Sequence, residues 1–412
     1  MLNEASQRAG GTPGGAPTAL RASELEGRPA GLSGRLPALL PVYAQMPVRP
    51  VSGHGSWLVD EHGHEWLDAY GGHAVASTGH SHPHVVQAIA EQAAALLFYS
   101  TAVPHPNRER LAERLAARCP DPLGRLFFCN SGAEANENAL GLARRHTGRQ
   151  EIVSLRGGWH GRTVATLAVT DGAKYEDGAR RAGAPLSRKV APDDILALDA
   201  AVDDSVAAII LEPVQGLAGA RDLGQPFLEA ARRITRDRGA LLIFDEIQCG
   251  VGRCGAFTAA EAYGVVPDLL TLAKGLASGL PIGAVVTTPA VGNALQIGDL
   301  GSTFGGGPVP CAAALATLDV IDAEGLIGNA IAVGDEIRRG ALALGVGRVS
   351  GRGLLLGLHL GQPAGPVQRA LFDLRVLTGT AADPEVLRLM PPLSFSSDEA
   401  RRLLEALSEV LE

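Results

Sequence analysis

Between Arg125 and Thr288 the chain repeats one pattern, in which a short apolar run meets a turn of small or polar residues and, in several cases, a stretch with helical spacing. The apolar runs are RLFFCN, EIVSL, VAAIILEPV, ALLIFDEI, LLTLAK and GAVVTT, and segments such as SGAEANENALGLARRHTG and QPFLEAARRITRDRG separate several of them. Strands alternating with helices predict an α/β fold with a mainly parallel sheet covered on both faces. Ligands of such sheets bind beyond the carboxyl ends of the strands, so the polar residues just after each apolar run are the ones to examine.

The flanks read differently. GSWLVDEHGHEWLDAYGG holds two short alternating runs around Gly63 and predicts a hairpin. HPHVVQAIAEQAAALL and NRERLAERLAARC have helical spacing. After about Ala312 a long helical stretch leads to GLLLGLHL, a hairpin-like segment and a final helix, SSDEARRLLEALSEVL, which together predict a second, smaller α+β domain. At 412 residues the chain is long enough for one large core and such a domain. The first residues, rich in Gly, Pro, Ala and Ser, lack the charged and apolar regions of a signal peptide and read as a mobile leader ahead of order near LPALLPVYAQMP. The net charge of −8 gives no support to a nucleic-acid or polybasic membrane partner, and no apolar run is long enough to span a bilayer. Five cysteines without a C-x-x-C pair fit a reducing, cytoplasmic setting rather than disulfides or zinc.

Three strand ends carry chemistry. RLFFC runs into Asn130, Ser131 and Gly132 and then a helix, whose free amides and dipole suit an anion. ALLIF ends in Asp245 and Glu246, and AAIIL ends in Glu212. LLTLA ends in Lys274, one of only three lysines beside Lys174 and Lys189, both of which lie in polar surroundings. A lysine desolvated at a strand end has a lowered pKa and becomes a nucleophile. GSTFGGGP adds a glycine-rich turn with two hydroxyls, suited to a phosphate. Anion grips, an acid and an isolated lysine point to a cofactor with a phosphate, a basic ring nitrogen and an aldehyde. Pyridoxal phosphate has all three, with the lysine forming a Schiff base and the carboxylate pairing with the pyridinium.

With NSGAEANENA, GWHGRT, EPVQG, FDEIQCGVGR, LAKGL, GSTFGG and LRLMPPL in order, the chain from roughly Pro41 onward resembles the class III, fold-type I aminotransferases, closest to the acetylornithine aminotransferases. The resemblance implies a seven-stranded-type sheet in a large domain, 76–318, a C-terminal small domain, 319–412, an N-terminal segment, 33–75, joining the small domain, and a leader, 1–32. It implies that Lys274 holds pyridoxal 5'-phosphate and then shuttles the proton, while Asp245 pairs with the ring nitrogen and Gln248 lies near the ring hydroxyl. Ser131 and the amides of Gly132 and Ala133 would hold the phosphate, completed by Thr303 from the neighbouring subunit of a homodimer. Trp159 would stack on the ring where the family usually has phenylalanine. Arg162 would take the distal carboxylate of the donor, Ser302 would approach the substrate, and Arg388 would take the α-carboxylate of 2-oxoglutarate or glutamate. The implied donor is N-acetylornithine, in arginine synthesis, with a carrier-bound lysine derivative, succinylornithine, ornithine and 4-aminobutyrate as alternatives within the family.

One position departs from the family. Where EPVQGEGG is usual, this chain reads EPVQGLAGA, with Leu217 in place of the glutamate that masks the arginine matching Arg388. Two other motifs compete with this reading. GVGRCG, residues 250–255, matches the dinucleotide fingerprint of a dehydrogenase, but DEIQC intervenes between strand and first glycine. His80, His82 and His84 alternate as metal ligands can, yet lack a carboxylate or cysteine beside them in sequence, so no metal is expected.

Overall fold

Seven strands build the central sheet: β1 (Arg125–Cys129), β2 (Glu151–Leu155), β3 (Arg188–Val190), β4 (Val206–Leu211), β5 (Leu241–Asp245), β6 (Leu269–Leu272) and β7 (Gly283–Thr287). Their order across the sheet is β1-β7-β6-β5-β4-β2-β3. Only β7 runs antiparallel, to both β6 and β1. The other pairs are parallel, so the carboxyl ends of β1, β2, β4, β5 and β6 face one way. Every residue of β4, β5 and β6 is buried, as strands covered on both faces must be. The helix Gln225–Arg238 covers the sheet with Phe227, Leu228, Ala231 and Ile234, a one-sided helical stripe, and ends at Gly239 in the left-handed conformation.

The computed structural model describes Leu40, Val42 and residues 45–412. The leader expected over 1–32 lies outside the described residues, as does most of LPALLPVYAQMP. Residues 49–412 form one compact unit. The hairpin around Gly63 is present as Trp57–Asp60 paired with Glu65–Asp68, with Pro50–His54 added at one edge. Val376–Leu377, from the far end of the chain, pairs in parallel with Leu67 and Asp68. A second antiparallel sheet has the order Arg348–Arg352, Leu355–His359, Val386–Leu389, Gly379–Thr380. The long helical stretch after Ala312 is two helices, Pro308–Ala323 and Leu326–Ala343, parted by Gly325 at φ 63°.

The apolar runs do not predict β3; Lys189 lies on it, in polar surroundings as its sequence context implies. Lys189 Nζ donates to Ser187 Oγ at 2.9 Å and to the Ala168 carbonyl at 3.2 Å. Burial holds its pKa below the usual lysine range, against the pull of Glu176 and Asp171. The motif GVGRCG forms turns and opens no helix, since the next begins at Ala259. The three histidines part company: His80 Nε2 lies 2.8 Å from Asp68, His82 Nε2 lies 2.9 Å from Glu324, and His84 Nε2 lies 3.5 Å from Asp319.

Candidate active site

At the carboxyl end of β1, Ser131 caps the helix Gly132–Thr147, its Oγ accepting from Glu134 N at 3.2 Å and its carbonyl from Ala135 N at 3.0 Å. The helix itself has no acceptor for the amides of Gly132 and Ala133, which remain for an anion. Glu134 does not compete for that place, because its carboxylate turns back onto Asn130 and accepts from Asn130 N at 2.8 Å. Gly132 is required by packing, since a Cβ there would stand 2.7 Å from Ile247 Cδ1. Asn130 Nδ2 donates to Ser302 Oγ at 3.2 Å, which brings the GSTFGG turn to the same helix start; Thr303 beside it is exposed.

Consecutive acids at the end of β5 face opposite ways. Glu246 caps the short helix Ala259–Tyr263, accepting from Ala259 N and from Ala260 N at 2.8 Å. Burial pushes its carboxyl up to about 8, against those two amides. Asp245 is 2% exposed and gathers three donors. Asn136 Nδ2 donates to Oδ2 at 2.7 Å, His160 Nδ1 stands 2.8 Å from the same oxygen, and Ile247 N donates to Oδ1 at 3.1 Å. Asn136 is held in turn by Thr271 Oγ1, which donates to its Oδ1 at 2.8 Å. Asn136 and His160 escaped the sequence reading although both stand inside the quoted motifs. A polar residue one helical turn beyond Gly132, on the buried face, was the available signal for Asn136.

Lys274 follows β6 and opens a tight helical turn, Lys274–Ala277, at φ 39°. A left-handed lysine is strained by about 1–3 kcal/mol, a cost that positions carrying function tolerate. Burial lowers its pKa, while Asp245 and Glu212 pull the other way. Burial outweighs the two acids and leaves an amine that loses its proton more readily than a surface lysine. Glu212, after β4, accepts from Trp159 N at 2.9 Å and Gly216 N at 3.2 Å. Burial and then the neighbouring Asp245 hold its carboxyl above the usual range.

Trp159 and Arg162 come from the loop after β2. The Arg162 Cζ lies 5.2 Å from the centre of the Trp159 ring, and Tyr175 packs edge-on against that ring at 4.9 Å. Gln248 packs on Gly216, where a Cβ would fall 1.7 Å from its Oε1. Arg388, on Val386–Leu389, is 5% exposed and donates from Nη1 to the Gly216 carbonyl at 3.3 Å. The structure thus gathers Ser131, Gly132, Asp245, Gln248 and Lys274 at strand ends of one sheet, and brings Arg388 to the EPVQG turn from the second sheet.

The donor set suits a flat, anionic, basic-nitrogen cofactor. A helix start offers two amides, a carboxylate is fixed by three donors, and the lysine is buried and strained. Gln248 Oε1 and His160 Nε2 are buried polar atoms without a protein partner among the described residues, which a polar ligand can satisfy.

The model of the family described as "Aminotransferase class-III" matches residues 41–411. The chain belongs to the class III aminotransferases. It is 44% identical to the acetylornithine aminotransferase of Streptomyces coelicolor over 88% of this chain and 90% of that protein. It is 40% identical to acetylornithine aminotransferase 1 of Bordetella pertussis, covering 90% of this chain and 96% of that one. Among solved structures, the ornithine aminotransferase of Toxoplasma gondii superposes with a TM-score of 0.85 at 29% identity, over 91% of this chain and 92% of that one. A Bacillus anthracis aminotransferase superposes at 0.83 with 27% identity, over 90% and 96% of the two chains. This class III aminotransferase is a pyridoxal 5'-phosphate enzyme of fold-type I, as the motifs imply. No helix among the described residues is long and apolar enough to cross a membrane.

Proposed function

We propose that this enzyme moves the terminal amino group of N-acetylornithine to 2-oxoglutarate, giving a semialdehyde and glutamate, in arginine synthesis in the cytoplasm. The observation that carries the reading is a pair of arginines on separate elements, Arg162 over Trp159 and Arg388 on a buried strand. Arg162, over Trp159, suits the distal carboxylate of an ω-amino donor. Arg388, on a buried strand, suits the α-carboxylate of the oxo acid. A guanidinium binds either one through two parallel N–H groups. The names of the relatives, at 40% and 44% identity over about nine-tenths of the chain, support the same donor.

Pyridoxal phosphate, when bound, supplies an aldehyde for amine exchange and a ring that takes up the electrons of a breaking C–H bond. This chain does the rest. Lys274 would hold the cofactor through its amine and would carry a proton at Nζ, and its lowered pKa leaves that amine ready as a base. Asp245, its carboxylate held by Asn136 and His160, would pair with the ring nitrogen. The amides of Gly132 and Ala133, with Ser131, would receive the phosphate, Trp159 would cover the ring, and Gln248 would serve the ring hydroxyl. Ser302 approaches the substrate.

Thr303 completes the phosphate grip of a second copy, so the working unit is a homodimer. The surface beside Thr303 supports that occupant: Phe304 is 62% exposed, Leu97 69% and Tyr99 51%, and Phe98 and Phe304 touch with ring centres 4.9 Å apart. Apolar patches of this kind mark protein contacts. The test is a panel of acetylornithine, succinylornithine, ornithine, 4-aminobutyrate and a carrier-bound lysine derivative with 2-oxoglutarate, read as glutamate formed. Acetylornithine is expected to give the highest kcat/KM; another leading donor would reassign the substrate, and no turnover of any would overturn the reading.

A further inference from the structure

We propose that Tyr70 is the positioning residue that keeps Arg388 oriented and open to an α-carboxylate in both halves of the reaction, where the family uses a masking glutamate at the place of Leu217. This rests on the transamination reading above and specifies how that site handles α-carboxylates.

The bonds of Arg388 carry the inference. Nε donates to the Thr380 carbonyl at 2.6 Å, Nη1 to the Gly216 carbonyl at 3.3 Å, and Nη2 to Tyr70 Oη at 2.9 Å. The Arg388 Cζ also lies 5.7 Å from the centre of the Tyr70 ring. All three acceptors are neutral. They orient the guanidinium without cancelling its charge, and among the described residues one N–H stays available on each terminal nitrogen, the pair that a carboxylate binds bidentately. A glutamate would both orient the group and neutralise it, and an incoming carboxylate would first have to displace that acid.

Tyr70 is held in place from three sides. Gly379 is the cross-strand neighbour of Arg388, and a Cβ on it would stand 1.9 Å from Tyr70 Cε2; the ring occupies the room that the glycine leaves. His73 packs edge-on against the ring with centroids 4.7 Å apart. The backbone of Tyr70 is fixed by Asp68, whose Oδ1 accepts from Tyr70 N at 2.9 Å and Gly71 N at 2.8 Å, and whose Oδ2 lies 2.8 Å from His80 Nε2. The chain then makes a left-handed turn, with φ of 57°, 56°, 67° and 62° at Gly71, Gly72, His73 and Ala74. His73 and Ala74 are strained there, which the closing bond from Val75 N to the Gly71 carbonyl at 2.8 Å offsets. A hydroxyl delivered by so constrained a segment has one place to be, and that place is on Nη2 of Arg388.

The test uses the cofactor-loaded enzyme and Tyr70→Phe, which removes the hydroxyl and keeps the ring. Calorimetric binding of glutarate, an unreactive dicarboxylate, is expected to weaken roughly tenfold, as loss of a bond to a charged group would give. In single-turnover half-reactions, kcat/KM for glutamate is expected to fall by a similar factor, while that for the best ω-amino donor stays within about twofold. Gly379→Ala, which pushes on the same ring, should show the same split, with Tm monitoring the fold. Equal losses in both half-reactions would mean a merely structural tyrosine and would overturn the proposal, as would glutarate binding that is unchanged or tighter in Tyr70→Phe. Failure of the wild-type enzyme to transaminate any ω-amino donor would instead defeat the functional reading, and glutarate binding would still report on Tyr70.

Discussion

His160 Nδ1 stands 2.8 Å from Asp245 Oδ2, and both side chains are almost wholly shielded from solvent, at 0% and 2% exposure. The contact links the loop after β2 to the end of β5, so the acid proposed to meet the cofactor ring takes its orientation from two elements. Removing one partner of a buried bond to a charged group costs about 1.5–3 kcal/mol. His160→Ala is therefore expected to lower kcat about tenfold to a hundredfold and to weaken cofactor retention. Stopped-flow turnover and cofactor release on dilution check both; normal values for both would remove His160 from the site.

Lys274→Ala is expected to abolish turnover and the borohydride-reducible bond between protein and cofactor, read by mass. Lys174→Ala and Lys189→Ala should keep both. Lys189→Ala should nonetheless lose about 1 kcal/mol of stability, because Lys189 Nζ donates to Ser187 Oγ and the Ala168 carbonyl at the sheet edge. A Lys274→Ala protein with near-normal transamination would defeat the assignment of the nucleophile.

The residues that sequence reveals here are those whose chemistry follows their own strand. Asp245, Lys274 and Glu212 each follow an apolar run that has to be buried, and the order of strands and helices forces those ends to one side. β3 was hidden for the opposite reason: at the sheet edge it pairs only with β2, and three residues with two charges carry no apolar signature. The partner of Arg388 was hidden by distance. Tyr70 is 318 residues away along the chain, and the pairing of Val376–Leu377 with Leu67 and Asp68, together with the bond from Met390 N to the Ala69 carbonyl, draws the two regions together. Leu217 signalled that an acid was missing; nothing in the sequence named the tyrosine that Arg388 bonds instead.

Thr303→Ala is expected to weaken cofactor retention in a dimer that still assembles, since the exposed threonine is assigned to the partner's phosphate. Sedimentation at assay concentration, combined with cofactor titration, separates the two effects. A fully active monomer would contradict the shared site.

His73 gives the chain a pH response. Burial, then the charges of Arg388 and Lys274, lower its pKa below 6.5, and Asp68 opposes them. The unfolded chain therefore binds more protons at this histidine than the folded chain does, between the lowered value and 6.5. Stability contributed by neutral His73 is present above that window and is lost as pH falls through it. His73→Asn, which tolerates the left-handed φ of 67°, should flatten the fall of Tm below about pH 6.5. An acid limb identical to that of the wild type would refute the assignment.

Leu217→Glu restores the family's acid beside the EPVQG turn. The residue is half-buried, and its neighbour Gly216 already accepts from Arg388 Nη1. A carboxylate there would compete with Tyr70 and the Gly216 carbonyl for the guanidinium, and charge pairing at short range in a partly desolvated site favours the acid by a few kcal/mol at an effective dielectric near 20. Arg388 would then be masked while an ω-amino donor is bound, and glutamate would have to displace an internal rival to present its α-carboxylate. Acetylornithine, placed through Arg162, would meet no such rival. The ratio of kcat/KM for acetylornithine over glutamate is expected to rise about tenfold, which is about 1.4 kcal/mol of differential transition-state binding. Adding Tyr70→Phe to Leu217→Glu should raise that ratio no further, because the acid then holds Arg388 by itself. An unchanged or lower ratio in folded, cofactor-loaded Leu217→Glu would show that an open Arg388 has no part in discriminating the two amino groups.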